Sequence, residues 1–169
     1  MRMSIPMIGL LAAALPVLAA DPRPEIARPV GSAQADGAVH TLRVIPEACA
    51  RFEGRFTGNA AKPYDFAAVR SSERCQPRAR LVGAGQSAPL TKSGWILNDV
   101  VRVPRAACPG QQAVLRVWRK PGSTDAPSLD AQGRARVYLK DANGRAMPVR
   151  SGGLPQYAAA IAMEGKACR

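Results

Sequence analysis

A small, mainly β domain is what this sequence predicts: an antiparallel β-sandwich or barrel of about seven or eight short strands, two disulfides and a short C-terminal helix. Three observations carry that expectation. Apolar residues recur with period two over most of the chain beyond residue 38. Gly and Pro, 15 of each, cut the pattern into short segments. Four Cys sit in a chain whose start looks like an export signal, so disulfides are the default for them.

Residues 1–20, MRMSIPMIGLLAAALPVLAA, place one positive charge before an apolar run and end on small residues. That order describes a signal peptide, with cleavage expected after Ala20. Pro6 and Pro16 interrupt the run, which argues against a membrane anchor. Beyond it, no segment is long and apolar enough to span a bilayer. Residues 21–37 hold three Pro, two Gly and scattered charge, and read as a flexible leader. Residues 38–169 are then one β domain, long enough to bury about 70% of its unfolded surface.

The first strand is expected from Val39 to Ile45, stopped by Pro46. Arg51 to Thr57 alternates Phe52, Gly54 and Phe56 against charged residues, and 58–63 is turn material. Tyr64 to Arg70 returns, with Tyr64 and Phe66 on one face. Residues 74–82 put Cys75, Ala79 and Leu81 opposite Arg74, Arg78 and Arg80, and Pro77 assigns that strand to an edge or bulge. Trp95–Val103 and Ala113–Arg119 are the most apolar strands. A polar loop over 120–133 precedes a strand at Arg134–Lys140, a turn at Asp141–Gly144 and an edge strand to Arg150. The last element is divided. Tyr157, Ala159, Ile161 and Met163 alternate like a strand, but Pro155, an Ala-rich middle and Gly165 tip the balance to a short helix over 155–164.

Hairpin arithmetic suggests the disulfide map. If Thr57 faces Tyr64, paired numbers sum to about 121 and Cys49 falls near Ser72; a bulge through Ser71–Glu73 would bring Cys75 opposite. Cys49 then pairs with Cys75, and Cys108 with Cys168. The competing map joins Cys49 to Cys168 and Cys75 to Cys108, since four Cys allow three connectivities.

Composition narrows function. The net charge is +12, with 24 basic residues against 12 acidic, yet aromatics are 5% of the chain and there is one His. No His or Cys pair has metal spacing, so neither a metal nor a cofactor is expected. Gly83–Ala88 matches GxGxxA, but Pro89 follows and no helix opens, which leaves a Gly-rich loop. His40 lacks a serine elbow or free thiol beside it. Glu47, Glu53, Asp65, Glu73 and Asp99 could serve a hydrolase, but their spacing marks no pair. Asp125, Asp130, Asp141 and Asn143 fit turns better than a calcium loop.

One constellation rises above this background. If 113–119 lies beside 134–140, then Arg116, Trp118 and Lys120 share an outer face with Arg134, Arg136, Tyr138 and Lys140. Cations interleaved with flat rings suit an anionic, partly apolar ligand. If 74–82 joins the same sheet, Arg74, Arg78 and Arg80 extend that face. The expected protein is a basic, non-enzymatic binding module of the periplasm or the secreted pool, its partner an anionic envelope component or acidic protein. A structural envelope protein without ligand and a carboxylate-dependent hydrolase are the alternatives. Nucleic acid is disfavoured by location and scarce aromatics.

Overall fold

A computed structural model describes residues 22–83, 89–122 and 153–168. The expected signal peptide, most of the 120–133 loop, the 134–150 hairpin and residues 84–88 of the Gly-rich motif lie outside them. The protein is mainly β. Three strands form one sheet in the order β1 (His40–Ile45), β2 (Ala50–Phe56), β3 (Tyr64–Arg70). Four form a second, in the order β4 (Arg80–Gly83), β7 (Gln156–Gly165), β6 (Cys108–Lys120), β5 (Ile96–Arg105).

The alternation read from sequence becomes the contact between layers. Leu42, Ile45, Phe52 and Phe56 of the small sheet share one buried cluster with Val101, Val103, Ala113, Leu115, Val117 and Tyr157 of the large one. Burying a side chain of that size stabilises by about 2 kcal/mol. β1 ends where Pro46 removes the next backbone donor, and a 3-10 turn over Pro46–Ala48 carries the chain to β2. Between β2 and β3, Gly58 adopts φ +75° and Asn59 Oδ1 accepts from the Ala61 amide.

Both disulfides, Cys49–Cys75 and Cys108–Cys168, join as the favoured map has them. The expected register behind the first is one residue off. Phe56 faces Tyr64 and Ala50 faces Arg70, so paired numbers sum to 120. The Ser71 amide donates to Cys49 O, and Cys75 arrives through a turn closed by its amide on Ser72 O rather than through a bulge.

Two other expectations are corrected. Residues 156–165 are a strand, not a helix. β7 pairs with β6 from Gln156–Lys120 to Gly165–Gln111 and with β4 on its other side. Two ladders outweigh the modest helical preference of Ala, and Ala158 packs with no accessible surface. The strand pairing is mainly antiparallel, as expected, with β4 running parallel to β7. The leader does not float. Residues 25–34 lie parallel along the edge of β5, with bridges Ile26–Asp99 and Gln34–Arg105. Amides of Glu25, Ile26, Gly31 and Gln34 donate to carbonyls of Leu97, Asn98, Arg102 and Pro104. An edge strand has unpaired backbone groups, and this segment satisfies four carbonyls of β5.

Candidate binding face

Ladder register decides which side chains of the large sheet share a face. Ala113, Leu115 and Val117 point into the core, as expected. Val114, Arg116, Trp118 and Lys120 therefore point to the opposite face. Across β6, Lys120 is level with Gln156 of β7, which is level with Arg80 of β4. Trp118 is level with Ala158 and Leu97, and Ala158 with Val82. Arg80, Lys120 and Trp118 thus share one end of one face, with β7 between Arg80 and the other two; Arg74 and Arg78 lie in the segment before β4, outside the sheet. Lys120 Nζ has no carboxylate within ion-pair reach among the described residues, nor have the Arg74 and Arg78 guanidiniums.

The rest of the expected patch is built differently. Both edges of β6 are occupied, by β5 and β7, so the place beside 113–119 that the sequence reading assigned to 134–140 belongs to β7. Arg134, Arg136, Tyr138 and Lys140 themselves lie outside the described residues. Arg116 is held by Glu164 at 2.8 Å. Trp118 packs on Leu97, Val100 and Val114, a second small apolar cluster on this outer face. Trp118 is therefore a partly buried packing residue of this face.

Sequence reasoning missed the charged groups of the interior. Asp99 is fully buried yet receives Arg28 Nε at 2.7 Å. Arg43 Nε stands 2.8 Å from the same carboxylate, as an ion pair without hydrogen-bond alignment. Each partner is turned inward by an irregularity: register shifts fall between Thr41 and Arg43 and between Leu97 and Asp99. Bulges leave no mark in a period-two pattern, but a carboxylate inside the most apolar strand was a usable signal. Glu25 binds Arg119 at 2.6 Å and accepts from Asn98 Nδ2 at 2.8 Å, and these contacts hold its carboxyl below the usual range. Arg105 does the same to Asp36 through contacts of 2.6 and 2.7 Å.

His40 is committed to structure. Its Nδ1 lies 3.1 Å from Ala38 O, which only a protonated Nδ1 can satisfy. Nε2 then accepts from the Tyr64 hydroxyl at 2.7 Å. Burial holds that phenol well above its ordinary range. Tyr64 reaches His40 by crossing Gly54, where a Cβ would collide with the Tyr64 hydroxyl. No group of three or more His, Cys, Asp or Glu able to hold a metal occurs among the described residues.

A groove of about 690 Å³ runs by β3, lined by Glu53 and Asp65 together with Tyr64, Phe66 and Ile161. Both carboxylates are ion-paired, Glu53 with Arg51 and Asp65 with Arg55 and Lys62, each at 2.6 Å. These two cations hold the Asp65 carboxyl below the usual range. No protein-family model, curated protein or solved structure matches the chain.

Proposed function

We propose that the chain is an exported, non-enzymatic binding module that takes an anionic partner at the basic end of its large sheet. Two disulfides suggest an oxidising compartment, which for this chain would be the periplasm or the secreted pool. The observation that carries the proposal is where the charge is compensated. Glu25, Asp36, Glu53, Asp65, Asp99 and Glu164 each face a guanidinium. Among the described residues, Lys120 and Arg78 have no ion pair; Lys120 lies at the end of the large sheet that also carries Arg80 and Trp118, and Arg78 lies two residues before Arg80 in the chain. An anion there gains Coulomb energy, and the indole edge supplies apolar contact. The partner class is an envelope polymer, a lipid head group or an acidic protein. Pull-down from envelope extract at low and high salt tests it: capture that fades as salt rises supports the reading, and capture of nothing at low salt supports a ligand-free structural role.

A hydrolase is the second reading, because the groove by β3 holds two carboxylates. A glycosidase acid must be protonated near neutral pH. Asp65 is shifted the other way, so it fits only the ionised role of such a pair.

A further inference from the structure

We infer that the edge of β5 is an acceptor site for residues 25–36 of a second copy of this chain, giving a dimer that exchanges N-terminal straps. The occupant is specified by charge order. Along the strap run Glu25, Arg28 and Asp36, and they meet Arg119, Asp99 and Arg105. A foreign peptide would need the same negative, positive, negative sequence at the same spacing, together with free amides parallel to β5. The strap of another copy carries both.

Three features make exchange structurally cheap. The strap and the strand that follows it belong to different layers, since the strap lies on β5 and β1 lies in the small sheet. They are joined by a single turn, closed by the Ala38 amide on Ala35 O at 3.2 Å with Gly37 at φ +81°. Opening that turn releases the strap with its contacts intact for reuse. The docked strap also leaves a cavity of about 370 Å³ against Leu42, Val101 and Val103, and Val30 is 57% exposed. Apolar packing thus adds little to closure, which rests on backbone bonds and ion pairs that any copy can supply. Within one chain the strap has an effective concentration of roughly millimolar, so the closed monomer dominates in dilute solution.

Charge reversal in two separate full-length proteins tests this. One carries Glu25→Arg and Asp36→Arg, the other Arg105→Glu and Arg119→Glu. Each alone sets like charges against each other in the closed form. Mixed, they restore opposite charges at these positions only in a strap-exchanged heterodimer. Light scattering after size exclusion should give a single-chain mass for each and a two-chain mass for the mixture. A Gly37→Val chain, which disfavours the positive φ of the turn, should form homodimers. The inference is overturned if mixture and Gly37→Val both remain single chains while a chain with all four reversals regains protease protection of its strap. It is equally overturned if either reversed protein dimerises alone as strongly as the mixture.

Discussion

Arg43 of β1 and Asp99 of β5 meet across the two sheets at 2.8 Å, each aimed inward by a break in its own ladder. Arg28 reaches the same carboxylate from the strap, so one buried anion ties three segments together. Removing the charge from one side of a buried cluster is costly, because the remaining charges stay desolvated.

Asp99→Asn should therefore destabilise the oxidised protein by about 3 kcal/mol, with the strap loosened first. Urea unfolding measures the total, and limited proteolysis reports the strap. A change within about 0.5 kcal/mol would show that the cluster is energetically idle.

Gly54→Ala should lose about 1–3 kcal/mol, because the new methyl meets the Tyr64 hydroxyl that reaches His40. In a Tyr64→Ala background most of that penalty should vanish. A double-mutant cycle by thermal unfolding measures the coupling. An equal loss in both backgrounds would place the strain elsewhere.

The two disulfides should differ in worth. Chain entropy assigns about 3.5 kcal/mol to a loop of 26 residues and about 4 to one of 60. Paired Cys→Ser changes at 108 and 168 should thus cost more than those at 49 and 75. Denaturant midpoints of the two variants decide the order.

Acid should release the strap. Arginine partners hold Glu25 and Asp36 below their ordinary range. Carboxyls depressed in the folded state add stability that is complete above the unfolded value and lost as pH falls through the folded one. Hydrogen-exchange protection of the Glu25, Ile26, Gly31 and Gln34 amides should hold at pH 6 and fall below about pH 4. Protection unchanged at pH 3 would mean that the ion pairs do not hold the strap.

Much of the fold was legible because half-buried strands write their faces into a period of two. Phe52, Gly54 and Phe56, and Ala113, Leu115 and Val117, were readable on that ground. β7 was not, since Ala158 to Ala160 satisfy a helix or a strand locally and only β4 and β6 decide between them. The strap was misread because Pro-rich, polar sequence resembles a spacer, whereas its order comes from ladder bonds and from arginines far along the chain. Of the basic face, Arg116, Trp118 and Lys120 were legible by alternation. Their true neighbours Gln156 and Arg80 depend on strand order, which no local pattern encodes.

The proposed function requires the basic end of the large sheet to bind anions. Arg78→Gln combined with Lys120→Gln, compared with the parent protein on phosphatidylglycerol and phosphatidylcholine vesicles over a salt series, tests it most directly. Each cation near an anionic surface contributes about 1 kcal/mol, so the pair should weaken binding to the anionic vesicles by about tenfold or more at low salt. The parent should bind the anionic vesicles less tightly as salt rises and ignore the neutral ones. A folded double variant that binds anionic vesicles as tightly as the parent at every salt concentration would contradict the claim.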